Sequence, residues 1–299
     1  VKFPVITLGP PVSWDDLHLF PLFSDADPNA RYVPGPVAFE AGLITVDETG
    51  NVPSLRLHNR GPEPVLLIEG EMIVGASQNR VVNLPVLCPP GVIKLPVSCV
   101  ERSRWSRPRE ARRSRHVAPP GLRETLLRSA IDEHRRSGEF IADQAQVWHA
   151  VAFALRHRGV TSDTEALEDV YVAEAAARRR PEPAPDPAPG QCGVLVASGG
   201  RVIGLDLFDR PETLAAYWDG LVSGYAIDTP PTGDGADPPS AEAEAFLDAV
   251  GDAFAHGDPD DAPGLGRHLA SEDDRVSLAA LVWDDRVVRL TASPTPSSG

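Results

Sequence analysis

Between Glu69 and Trp105 the chain reads EGEMIVGASQNRVVNLPVLCPPGVIKLPVSCVERSRW, and its apolar runs carry polar groups that a core strand does not require. Glu71 and Glu101 are the residue types that serve as acid and base in glycosidic or phosphoester hydrolysis. Arg80 and Arg104 offer paired N–H donors to a phosphate. Gln78, Asn79 and Asn83 suit the hydroxyls or amides of a ligand, with Glu69 beside them, and Trp105 is a stacking surface. Cys99 is a nucleophile only if its pKa is lowered; no partnering His is evident, so a packed thiol is the favoured reading. Two carboxylates fit binding as well as catalysis, and the sequence leaves both open.

Three runs of strand character must position these groups: Pro64 to Val74, Arg80 to Leu87 and Val92 to Val100. Side chains two apart on a strand share a face, which joins Glu69 to Glu71, Gln78 to Arg80 and Cys99 to Glu101. Laid side by side, the runs are expected to bring Glu71, Arg80, Cys99, Glu101 and Arg104 to one concavity. Buried polar groups need partners, so the competing reading is an internal ion-pair network that locks a sheet.

The rest of the chain reads as α+β. A β-rich, sandwich-like lobe covers residues 1–118, with one short helix over Pro36 to Gly42. Within its end, Arg102 to Arg115 form a basic run read as a solvated loop. Residues 119–180 are helical, in three segments. The third starts at Ser162 with Glu165 in a capping-box spacing and ends at Arg178 to Arg180. Gln144 and His149 are the polar oddities there. Residues 181–191 hold a Pro-rich linker. Residues 192–293 read β-β-α-α-β-β, with a hairpin at Gly199-Gly200, a helix capped by Asp209 and a terminal pair across Asp284-Asp285-Arg286. Asp258, Asp260 and Asp261 lack the spacing of a calcium loop and read as solvated. All this is expected to pack as one body, with a disordered tail from Pro294.

The formal net charge of −15 argues against a nucleic-acid or anionic-membrane binder. No apolar run approaches the length needed to span a bilayer. Three cysteines, Cys88, Cys99 and Cys192, fit a reducing cytosol, and a cytoplasmic location is the expectation. No metal-ligand spacing is present, and no cofactor is identified.

The stretch EGEMIVGASQNRVVN followed by PVSCVERSRW resembles the bacterial ADP-ribosylglycohydrolase and rhodanese-phosphatase associated protein domain. The likeness lies on Glu69, Gly70, Glu71, Gly75, Gln78, Asn79, Arg80, Asn83, Cys99, Glu101, Arg104 and Trp105. Weaker matches continue at Asp143-Gln144 with Trp148, Ser162 to Tyr171, Gly204 to Phe208 and Ser223 to Asp228. Ser77 stands where Lys is usual in the family, and Gly224 where Ser is. The resemblance implies a link to NAD-derived nucleotides and an association with ADP-ribosylglycohydrolase-type enzymes; it carries no established activity. The expected function is therefore binding or processing of ADP-ribose or a related phosphorylated sugar, with Gln144 as a further candidate contact. The alternative is a protein or nucleic-acid interaction module that uses the Arg-rich 101–116 run, with the polar motif purely structural. A metal-dependent cupin-like enzyme needs clustered His, and His58 alone is weak support.

Overall fold

The computed structural model describes residues 1–25, 31–104, 109–177, 183–229 and 237–295. Trp105, Arg178 to Arg180, the centre of the 229–239 loop and the last four residues lie outside them. In chain order the first elements are β1 (Ile6–Leu8), β2 (Val12–Trp14), β3 (Leu17–Ser24), β4 (Val33–Pro34) and α1 (Gly35–Glu40). The lobe continues through β5 (Ile44–Glu48), β6 (Ser54–Asn59), β7 (Val65–Leu67), β8 (Glu71–Ala76), β9 (Arg80–Val82), β10 (Val86–Cys88), β11 (Gly91–Cys99) and β12 (Arg109–Val117). Helices α2 (Pro120–Ser137), α3 (Gln144–His157) and α4 (Glu168–Ala176) follow. The last third holds β13 (Gly193–Ser198), β14 (Arg201–Phe208), α5 (Pro211–Asp228), α6 (Ser240–Ala255), β15 (Asp258–Asp261), β16 (Arg267–Glu272), β17 (Val276–Trp283) and β18 (Arg286–Pro294).

Two large sheets carry the α+β fold. One has six strands in the order β12-β8-β9-β11-β6-β5. Its pleat sorts side chains by alternation. Met72 and Val81 face a core shared with Leu126, Val147 and Leu167 of the helical segment, whereas Ile73 and Val82 face Leu57, Leu95 and Val97 inside the curled sheet. The other sheet has nine strands, β1-β3-β13-β14-β18-β17-β16-β15 with β2 on β3. Helix α6 covers one face through Phe246 and Val250, and α5 covers the other through Leu214, Tyr217 and Trp218. Strands β1 to β3, which the sequence groups with the amino-terminal lobe, thus belong to the sheet of the carboxy-terminal segment. The described part of the Pro-rich stretch is attached to the same body: the Trp218 indole N–H donates to the Pro185 carbonyl at 2.8 Å.

Several local expectations change. The basic run is not a loop but includes β12, paired to β8 with Arg113 opposite Ile73. The acidic Asp258–Asp261 segment is edge strand β15, paired to β16. Helix α4 starts at Glu168, although the Ser162 hydroxyl does accept the Ala166 N–H at 2.9 Å. Asp209 does not cap α5, whose N-cap is Arg210; its carboxylate takes the buried Tyr32 hydroxyl instead. The Asp284-Asp285 turn has φ of 52° and 56°, the double left-handed geometry that matches the twist of a two-residue hairpin.

Candidate functional site

The polar motif does not converge on one point; it divides into three networks. The division begins at Gly70, whose φ of 80° turns the chain between Glu69 and Glu71. A Cβ there would lie 2.6 Å from Arg123 Cγ, so glycine is required by both conformation and space.

Glu69 points into the junction of the two sheets. Its carboxylate binds Arg123 of α2 at 3.2 Å and Arg289 of β18, and both guanidiniums also bind Asp206 of β14, Arg123 at 2.6 Å. Glu69, Asp206 and Arg289 have no exposed surface. Burial opposes ionisation of Asp206, but Arg123 and Arg289 outweigh it and hold the carboxyl well below the usual range. Arg123, Asp206 and Arg289 were not singled out in the sequence.

Glu71 occupies a second buried network. It accepts from Arg113 Nε at 2.5 Å, from the Tyr217 hydroxyl at 3.0 Å and from the Ile68 N–H at 3.3 Å. Its partners differ from those of Glu101, and it does not join Arg80, Cys99, Glu101 and Arg104 at one concavity as strand alternation suggests. Two acids separated by a left-handed turn leave the strand in different directions.

Gln78, Asn79, Arg80, Cys99, Glu101 and Arg104 do assemble together. Arg104 binds both oxygens of Glu101, at 2.8 and 2.7 Å, and also donates to the carbonyls of Gly75 and Ala76 and to Asn79 Oδ1. Asn79 Oδ1 accepts the Gly75 N–H at 3.0 Å, and its own N–H donates to Glu101 at 2.9 Å. Behind this ring, Gln78 accepts from the Arg80 guanidinium at 3.3 Å and the Cys99 thiol at 3.2 Å, and donates to the Glu101 carbonyl. Arg80 is 2% exposed and lies 3.8 Å from Glu48. Asn83 bridges Ser98 and the Phe140 carbonyl. Gln144, at the start of α3, binds both the N–H and the carbonyl of Cys99, so it docks the helix on β11. Burial pushes the Cys99 thiol up, as a packed thiol requires.

Only part of this assembly reaches open space. A recess of about 320 Å³ is lined by Asn79, Glu101, Arg104, Arg112, Thr164 and Glu168. Arg112, Glu110 and Glu168 also line a cleft of about 1090 Å³ between β5 and β12, the two edge strands of the six-stranded sheet. Arg80 lines neither. Among the described residues the cleft-lining Arg60, Arg112 and Arg115 have no side-chain hydrogen bond or ion pair. Two of the four carboxyls that line the recess, Glu101 and Glu168, are set apart electrostatically. Burial acts to raise Glu101, but hydrogen bonds from Arg104, the Asn79 N–H and Thr164 outweigh it and lower its pKa. Burial raises Glu168, against the hydroxyl of Ser114 and the charge of Arg112.

The peptide linking these groups matches one family description from residue 5 to residue 293. The chain belongs to the ARG and Rhodanese-Phosphatase-superfamily-associated Protein domain family, ARPP-1. No curated protein and no solved structure matches it. Ser77 and Gly224, the two positions read above as departures, have physical settings. The Ser77 N–H donates to Glu48 at 2.8 Å, so this position lies beside a carboxylate. A Cβ on Gly224 would meet the Val117 carbonyl at 2.9 Å, and the glycine lets α5 approach the end of β12 closely. Among the described residues of the domain, no group of three or more His, Cys, Asp or Glu is arranged to hold a metal ion, and no helix is long and apolar enough to cross a membrane.

Proposed function

We propose that this ARPP-1 domain binds a phosphorylated sugar of the ADP-ribose type in the cleft between β5 and β12. The phosphates lie on Arg112 and Arg115, with Arg60 on the facing wall, and a sugar enters the recess against Asn79, Thr164, Glu101 and Glu168. One observation carries the reading: guanidiniums without carboxylate partners line a cleft that continues into a recess of carboxylate and amide groups. Guanidinium is the side chain best matched to phosphate oxygens, and amide and carboxylate oxygens suit sugar hydroxyls. Phosphate binding thus falls to Arg112 and Arg115 rather than to Arg80, which is buried and lines neither space, or Arg104, whose donors are turned to protein acceptors. Two carboxyls with pKa values pushed in opposite directions are also the arrangement used for acid–base hydrolysis, and turnover would assign Glu168 as the proton donor.

Calorimetric titration of the full chain with ADP-ribose and with ribose 5-phosphate tests this. Binding is expected in the wild type, weakened about tenfold or more in Arg112→Ala and Arg115→Ala, since a charge-assisted contact is worth about 1.5–3 kcal/mol. The absence of binding by either ligand would sink the proposal. The competing occupant is an acidic peptide added as a strand to the open edge of β12. Binding of acidic peptide in preference to either sugar phosphate would favour that reading.

A further inference from the structure

A second cavity borders the polar junction at Arg123 and is lined by α2, β16, β17 and β18. Its volume is about 770 Å³, within the usual range for a small-molecule site. Leu127, Ile131, Ile203 and Leu278 supply apolar surface. The charges around it do not cancel. Arg275 is spoken for by Asp252 and Asp273, Arg135 lies 3.9 Å from both Asp258 and Asp260, and Arg123 belongs to Glu69 and Asp206. Arg128 acts on Glu124, which is raised chiefly by burial and further by the nearby charge of Glu272. Asp132 and Glu272 are left, among the described residues, with no side-chain ion pair.

A second observation points to a ligand rather than to a solvated acidic rim. Arg123 forms part of the wall, is 3% exposed, and its Nε–H has no hydrogen-bond partner. A buried donor without an acceptor is costly, and an incoming oxygen would satisfy it. We propose that this cavity is a binding site for an organic cation: an amine on an apolar body that also carries a hydroxyl or carbonyl oxygen. The amine faces Glu272 and Asp132, the apolar body lies on Leu127, Ile131 and Leu278, and the oxygen accepts from Arg123. None of these residues belongs to the β5–β12 cleft, so the site stands independently of the sugar-phosphate proposal.

Phenylalaninol and phenyllactate form a matched pair of probes, alike in ring and hydroxyl but with an amine in one and a carboxylate in the other. Saturable binding of phenylalaninol to the full chain by ligand-observed NMR is expected, with phenyllactate at least about fivefold weaker, the scale of one partly solvated ion pair. Asp132→Asn with Glu272→Gln should remove that preference. Both carboxylates are exposed, so the variant should keep the wild-type melting temperature. Arg112→Ala should leave phenylalaninol binding unchanged. Equal or tighter binding of phenyllactate, no saturable binding of phenylalaninol, or an undiminished preference in the double variant would each overturn the assignment.

Discussion

At the junction of the two sheets, Glu69, Arg123, Asp206 and Arg289 surround one another, two acids with two bases and almost no water contact. Along the cleft, Arg112 and Arg115 stand on an edge strand in solvent, with no acid bonded to them. The side chains are the same; what differs is whether the fold has consumed their donors. Charges consumed by neighbours hold β14, β18, α2 and the Glu69 turn in one arrangement. Charges left open cost the fold little and remain free for a ligand. The Glu101–Arg104 pair lies between these extremes: it is closed on itself but forms the wall of the recess.

The sharpest way to break this contrast is at the junction. Arg289→Met leaves Glu69 without one guanidinium and Asp206 with Arg123 alone. Removing one member of a buried ion pair typically costs about 3–5 kcal/mol, so urea denaturation should show a loss of that size. A loss below about 1 kcal/mol would mean that water reaches the junction and that its charges resemble those of the cleft.

His268 extends the contrast to a buried ring with no ion pair among the described residues, on which burial outweighs the nearby charge of Asp260. Its ring is 1% exposed, and burial depresses its pKa from 6.5 to about 4. The unfolded chain therefore binds a proton between about pH 6.5 and pH 4 that the folded chain does not. Stability falls as pH drops through that window, by up to about 3 kcal/mol from this residue. His268→Leu should flatten the decline, measured as melting temperature against pH. Asp206 has the opposite kind of shift to a raised acid: its stabilisation is complete above its unfolded pKa and fades as pH falls below about 4. A smaller loss is expected at the recess wall. Arg104→Ala deprives Glu101 and the Gly75–Asn79 turn of their donors but opens them to water, for a cost of about 2 kcal/mol by the same denaturation.

What the sequence revealed follows the range of the interactions. Gln78, Arg80, Cys99 and Glu101 could be grouped because β9 and β11 are adjacent antiparallel strands, with Cys99 opposite Arg80. The same alternation misplaced Glu71, because it takes no account of a left-handed glycine between two acids. The strand β12 was hidden by its irregularities: register shifts between Arg109 and Arg112, and again between Arg113 and Val117, break the period of two, leaving a pattern that reads as a charged loop. Asp206 and Arg289 gave a fainter signal, a lone charge inside VIGLDLF and another inside VVRLT. Such a charge in an apolar strand announces a buried partner, but its partners lie 83 and 220 residues away, beyond any local pattern.

The smallest expected effect on stability is the most informative about function. Arg112 is exposed, lines both the cleft and the recess, and has no side-chain partner among the described residues. Its charge favours the ionised form of Glu168. Removing an unpaired surface cation changes stability by no more than about 0.5 kcal/mol, so Arg112→Ala should melt with the wild type. If the cleft takes a phosphate, the same substitution should lose the stabilisation that ADP-ribose gives the wild type, because a ligand raises the melting temperature only in proportion to its binding. Arg112→Lys keeps the charge but not the forked donors, and should recover part of the shift. A variant that melts normally and is still fully stabilised by ADP-ribose would remove Arg112 from the site. A variant that unfolds would show that the edge strand needs its arginine, and that the open charges of the cleft are structural after all.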